Sequence, residues 1–189
     1  MLKKIITISM LLALTTVIAM GQGQGKGKRY NQEQYHSEES NENRLSEVQI
    51  LGLSYMAEEE KIARDVYLYL AETTGKRIFS KIAQSEQKHI DAVLELLQTY
   101  NVDEPSTMDE AGVYLNDELQ DFYNRLIKVG EASVRDAYAV GVIIEEKDIE
   151  DLEELLADAN VPVDIEKAYS SLLRGSYNHL RAFKRQLDK

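Results

Sequence analysis

From Leu45 to the last residue, apolar side chains return every three or four positions, and no segment alternates strictly as a half-buried strand does. Its only prolines are Pro105 and Pro162, and its glycines are few. A chain with so few breakers forms long helices, and helices with one apolar face need partners to bury it. The spacing predicts a helix over about 44–74, closed by Gly75, with Val48, Leu51, Tyr55, Ile62, Val66 and Leu70 on its stripe. A second follows over about 77–100, with Ile78, Ile82, Val93, Leu96 and Leu97 inward. Residues 101–115 hold Pro105 and Gly112 and read as a loop, and a shorter helix over about 116–129 ends at Gly130. Ser133, three residues before Asp136, caps a helix over about 134–159, and Pro162 opens the last one, over about 163–187.

The two halves of this region resemble each other. Glu59-Glu60-Lys61 with Asp65 matches Glu145-Glu146-Lys147 with Asp151, and Phe79-Ser80, His89-Ile90 and Ala92 match Tyr169-Ser170, His179-Leu180 and Ala182. Each half is then a pair of long helices, the first carrying Glu-Glu-Lys and the second a central histidine. Two such hairpins, neither able to bury its face alone, predict an all-α four-helix bundle with one long crossover that contains the short extra helix.

The chain begins differently. Lys3 and Lys4 precede an apolar run from Ile5 to Met20, with small residues near its end. That is the pattern of a secretory signal over 1–20, and the run is short for a spanning helix, which needs ~20 apolar residues. An uncleaved anchor is the competing reading. Residues 21–43, rich in Gly, Gln, Glu and Ser, read as a flexible linker, with His36 a solvated histidine in it. The expected location is secreted or periplasmic, with no stable membrane insertion once the signal is cleaved. The 33 acidic and 22 basic residues leave a net charge of −11, which speaks against a nucleic-acid partner. With no cysteine, thiolate metal sites, iron–sulfur clusters and thiol nucleophiles are excluded.

What remains for chemistry is carboxylate and imidazole. Glu86 and His89 form Glu-x-x-His on the second long helix, a spacing that returns both to one face, beside Ile82, Val93 and Leu96. A carboxylate on a core-facing stripe is costly unless a cation or donor meets it. At 100° per residue, Glu59 falls near the centre of the first helix's stripe with Glu60 at its edge, and Glu145 and Glu146 repeat this on the third long helix. His179 takes the place of His89 in the second half. The alternative for these carboxylates is a salt-bridge seam with Lys61, Arg64 and Lys147. Tyr55, Tyr67, Tyr138 and Tyr177 fall near the same level and can serve as hydrogen-bond donors or as core.

This constellation resembles the ferritin-like superfamily, the di-iron carboxylate bundles related to rubrerythrin. Closer still, the runs Tyr55 to Tyr67, Ile78-Phe79 with Ser85 to His89, Ile144 to Ile149 and Leu173 to Phe183 resemble the DUF2202 family. The resemblance implies a ferritin-like fold with a metal site between the helices. It implies a carboxylate from the first helix (Glu60 by alignment, Glu59 by the stripe), Glu86 and His89 from the second, Glu145 or Glu146 from the third, and His179 from the fourth. The superfamily pattern also expects Glu three residues before His179, where this chain has Ser176. One bridging carboxylate is therefore missing, and a neutral hydroxyl is a poor substitute for it.

Oxygen and imidazole donors without thiolate favour hard or borderline divalent metals; the resemblance implies iron, one or two ions, with manganese as the other choice. The expected function is a secreted metal-binding protein, a non-haem oxidase or peroxidase with an incomplete di-metal site. The alternative is a non-catalytic secreted helical binding module with structural carboxylates. Metal ions are the expected partners, and a homodimer is compatible with both readings.

Overall fold

A computed structural model describes residues 44–189, so the expected signal and linker lie outside the described residues. Among the described residues there are five helices and no strand: α1 (Glu47–Thr74), α2 (Arg77–Thr99), α3 (Asp117–Gly130), α4 (Val134–Leu156) and α5 (Val163–Leu187). The described residues form an all-α bundle. None of these helices is long and apolar enough to cross a membrane.

The helix ends follow local chemistry. Ser46 caps α1 by accepting from Gln49 N, while the Gln49 side chain accepts from Ser46 N, so two otherwise orphaned amides are satisfied reciprocally. Gly75 ends α1 in the left-handed region, at φ 66°, where a Cβ would be strained. Asn116 accepts from Glu118 N and Leu119 N at the start of α3, and Ser133 accepts from Asp136 N at the start of α4. Gly130 differs from expectation: it lies inside the last turn of α3 without a positive φ. A Cβ there would come 2.7 Å from Leu70 Cδ2, so close packing against α1 explains the glycine.

Two antiparallel hairpins, α1–α2 and α4–α5, meet with α1 against α4 and α2 against α5. The core has two parts. One joins the C-terminal half of α1 (Val66, Tyr67, Leu70) to the N-terminal halves of α2 and α4 (Phe79, Ile82, Val140, Ile144) and to Phe183. The other joins Leu53, Met56 and Ala57 to Ile90, Val93, Leu152, Ile165 and Tyr169. The end of α2 and the start of α4 therefore lie at opposite ends of the bundle, and the connection must run its length. It does so along the α1–α4 face, with Met108 in one core and Leu119 and Leu126 of α3 in the other.

This cover explains a departure from the expected stripe. Between Met56 and Tyr67 α1 is buried nearly all round, and only Arg64 keeps appreciable exposure. At its start, before the crossover reaches it, Val48 and Leu51 are exposed, although the periodicity placed them inward. Periodicity reports one mean direction for a helix, whereas α1 has partners on different sides along its length.

Candidate metal centre

Between the two apolar cores lies a polar layer. Glu60 follows Ala57 of one core and precedes Ile62 of the other. Glu86 and His89 lie between Ala83 and Ile90, Glu145 follows Ile144, and His179 lies between Leu172 and Phe183. Each long helix thus leaves one apolar core and enters the next through this layer.

The distances within it are short. His89 Nδ1 lies 3.1 Å from Glu60 Oε2 and 2.9 Å from Glu86 Oε2. His179 Nδ1 lies 2.9 Å from Glu86 Oε1 and 3.5 Å from Glu145 Oε2. The imidazole rings face each other with centroids 5.8 Å apart. Glu60, Glu86 and His89 form one group able to hold an ion, and Glu86, Glu145 and His179 form another, with Glu86 common to both. The two oxygens of Glu86 face different histidines, as in a carboxylate that bridges two ions.

Gly175 makes this approach of α2 and α5 possible. A Cβ on it would come 2.6 Å from His89 Cε1 and 2.7 Å from Nε2, so only glycine leaves room for the ring with Nδ1 turned inward. From the other side, the Tyr67 hydroxyl donates to Glu145 Oε1 at 2.6 Å and fixes that carboxylate. Tyr67 is fully buried, its ring packed at a tilt against Phe79 and Phe183.

Burial and mutual repulsion shape the titration of the layer. Burial raises Glu60 to about 7 despite the opposing His89, and burial with the charge of Glu86 raises Glu145 to about 8. Burial also pushes Glu86 up, but hydrogen bonds from His179 and His89 outweigh it, so Glu86 sits below the usual carboxylate range. Burial would lower the histidines, yet their carboxylate partners win and hold His89 at about 11 and His179 at about 10. Without a metal, two imidazolium ions supply the cationic charge.

The donors fit a metal ion. A metal–ligand distance of about 2.1 Å puts adjacent octahedral donors about 3 Å apart, close to the separations of 2.9–3.5 Å above. Glu60 Oε1, Glu86 Oε1 and His179 Nδ1 are buried and lack a hydrogen bond of acceptable geometry, although the last two lie within ion-pair distance. Such atoms are costly unless a hydrogen-bond partner or a cation meets them. The residual exposure of the two histidines, 12% and 11% of their side chains, is where the layer meets solvent.

The structure divides the adjacent glutamates of the sequence. Glu60 and Glu145 reach the histidines. Glu59 pairs with Lys147 at 2.6 Å, and Glu146 lies on the surface, paired with Lys184. Glu58, also buried, accepts from Leu115 N and anchors the crossover. The salt-bridge seam is thus real for Glu59, whereas Lys61 and Arg64 pair with Asp65. Lys61 also donates to the carbonyls of Glu110 and Val113, and the Tyr114 hydroxyl and Gly112 N donate to Asp65, tying the crossover to α1. Of the tyrosines, Tyr55 accepts from Lys147 Nζ, Tyr138 stacks on Phe79, and Tyr177 is partly exposed and bonded to Glu153, away from the layer.

Asp148 is the residue that sequence reasoning missed. It lies one turn after Glu145 on α4, is buried, and meets the Ser176 hydroxyl through Oδ2. Burial and the charges of Glu60, Glu145 and Glu59 raise it far above the usual carboxylate range. The available signal was an acidic residue three positions after a candidate ligand on the same face.

Comparison with known proteins shows the family of the chain. A family model described as an uncharacterized protein domain (DUF2202) matches residues 49–189. The chain is 44% identical over 144 residues to the uncharacterized protein MJ0754 of Methanocaldococcus jannaschii, across 76% of this chain and 77% of that one. The crystal structure described as hypothetical protein MJ0754 from Methanococcus jannaschii superposes with a TM-score of 0.74 at 44% identity, covering 76% of this chain and 82% of that one.

Proposed function

The chain belongs to the DUF2202 family, and from that premise we propose that it is a ferritin-like metal-binding protein, exported through its N-terminal apolar run, that holds one or two iron ions, or manganese, for oxidase or peroxidase chemistry. The observation that carries this reading is the pair of Glu/His groups joined through Glu86, buried between two apolar cores. In this reading Glu60 and His89 hold one ion, Glu145 and His179 hold the other, and Glu86 lies between them. A bound iron or manganese ion would supply electron transfer to dioxygen or peroxide at its open positions. The chain's own groups do the rest. Tyr67 orients Glu145, Gly175 leaves room for His89, and the apolar cores keep water from the carboxylates. Because His89, His179, Glu60 and Glu145 all hold protons more tightly than usual, uptake of an ion releases protons from this layer.

Anaerobic titration of the purified chain with iron(II), read by calorimetry and elemental analysis, tests the reading. Saturation at one or two ions per chain is expected. Uptake no greater than that of a Glu86→Ala, His89→Ala control would remove it.

A second reading, a non-catalytic helical module, is favoured by one observation. The raised histidines can neutralise the carboxylates unaided, as Lys147 does for Glu59. Melting with and without chelator separates the two, since an ion that binds only the folded state must raise the midpoint. A native preparation with no bound metal and an unchanged melt favours the module.

A further inference from the structure

We infer that Asp148 is a metal ligand, the fourth carboxylate of a two-ion site, and that it replaces from α4 the carboxylate that α5 lacks at Ser176. The inference rests on the metal-binding reading above and assigns a residue outside the pattern that suggested it.

The geometry begins with the two hairpins. In the first, α1 gives Glu60, and α2 gives Glu86 and His89 one turn apart. In the second, α5 gives His179, and one turn before it stands Ser176, buried and neutral. The Ser176 hydroxyl meets Asp148 Oδ2, so the side chain of Asp148 comes from α4 to the α5 position where a carboxylate would otherwise stand. On α1, the position one turn after Glu60 is Ala63. Ala63 lines the same narrow gap between α1 and α4 as Asp148, and its single methyl leaves room for the carboxylate opposite. Each hairpin thus supplies two carboxylates and one imidazole; in the second hairpin both carboxylates come from one helix.

Two further observations point to a ligand. Asp148 Oδ1 is buried without a hydrogen-bond partner, as is Glu60 Oε1 in the same layer. Lys147, the neighbouring cation, is already committed to Glu59, Asp151 and Tyr55, and no contact joins it to Asp148. Charge supplies a further argument. Glu60, Glu86, Glu145 and Asp148, once ionised, balance two divalent ions with neutral histidines; three carboxylates would leave a net positive charge buried between apolar cores.

Anaerobic iron(II) titration of the full chain, with calorimetry for affinity and elemental analysis for stoichiometry, tests this. The wild type is expected to take two ions. Asp148→Asn preserves shape and is expected to lose one ion, or to weaken it at least a hundredfold, with circular dichroism unchanged. Ser176→Glu in the Asp148→Asn background is expected to restore the second ion by returning the carboxylate to α5. Ser176→Ala alone, which leaves Asp148 in place, is expected to keep both ions. If the wild type takes two ions and Asp148→Asn takes two with unchanged affinity, the inference falls while the metal-binding reading stands. A wild type that takes one ion, unaffected by Asp148→Asn, also overturns it. A wild type that takes none overturns both.

Discussion

Replacing Gly175 with alanine should uncouple metal binding from folding. The new Cβ would stand 2.6 Å from His89 Cε1, against 3.4 Å for ordinary contact, so the ring must retreat by about 0.8 Å. It cannot retreat by translation, because Glu60 and Glu86 already lie 3.1 Å and 2.9 Å from Nδ1 on the far side. The ring must turn, and metal–ligand distances tolerate only about 0.2 Å. Metal affinity should fall by at least about tenfold to a hundredfold, the range seen when the support of a ligand is lost. The fold should suffer less. Alanine in a helix interior gains roughly 0.5–1 kcal/mol over glycine, which offsets part of an overpacking cost of about 1–3 kcal/mol. At about 2–4 °C per kcal/mol, the metal-free midpoint should drop by less than about 10 °C. Gly52→Ala is the control, since its Cβ would meet Leu155 Cδ2 at 2.8 Å, far from the polar layer. It should perturb stability comparably and leave iron(II) binding intact. Unchanged metal affinity in Gly175→Ala, or an equal loss in Gly52→Ala, would refute the reasoning.

Further outcomes follow from the same layer and its surroundings. The metal-free protein should lose thermal stability as pH rises from 5 to 9. Glu60 and Glu145, raised to about 7 and 8, hold extra protons in the folded state above their ordinary value of 4.5 and lose them through those values. The pairing of His89 and His179 is fully stabilising below pH 6.5 and is lost as pH rises through 10 to 11. Each net proton gives a slope of about 1.4 kcal/mol per pH unit, and a melt that is flat or rises over this range contradicts the assignment. Glu146→Ala should change stability by less than about 0.5 kcal/mol and leave metal uptake untouched, because its ion pair is on the surface. Glu145→Ala should remove one ion; equal behaviour of the two variants in one titration would be inconsistent with this geometry. Lys61→Met should cost about 3 kcal/mol in denaturant unfolding, since it strips a buried partner from Asp65 and two carbonyls of the crossover.

How much of this was legible in the residues depends on the distance over which the physics acts. Helix ends are local matters of one turn: Ser46 was not singled out from the sequence, but Gly75, Ser133 and Pro162 fall within one residue of the boundaries expected from them. The shared face of Glu86 and His89 is equally local, fixed by a spacing of three residues. The repeat of Glu-Glu-Lys and histidine revealed two related hairpins. It could not reveal that their carboxylates are used one residue out of step, Glu60 with Glu145. Neighbouring residues on a helix point 100° apart, and a stripe fixes only an average direction for the whole helix.

The amino-acid sequence by itself determined the helices, their ends, their pairing into hairpins and the stock of carboxylate and imidazole donors. Tertiary structure decided which donors meet. Glu58, Glu59 and Glu60 are consecutive, all buried, and go to the crossover amide of Leu115, to Lys147 and to His89 respectively. Their division depends on the rotation and offset of α1 against three different neighbours. No residue sets that rotation alone. It follows from the packing of both apolar cores together with the crossover, just as the packing of α4 on α5 brings Asp148 to Ser176.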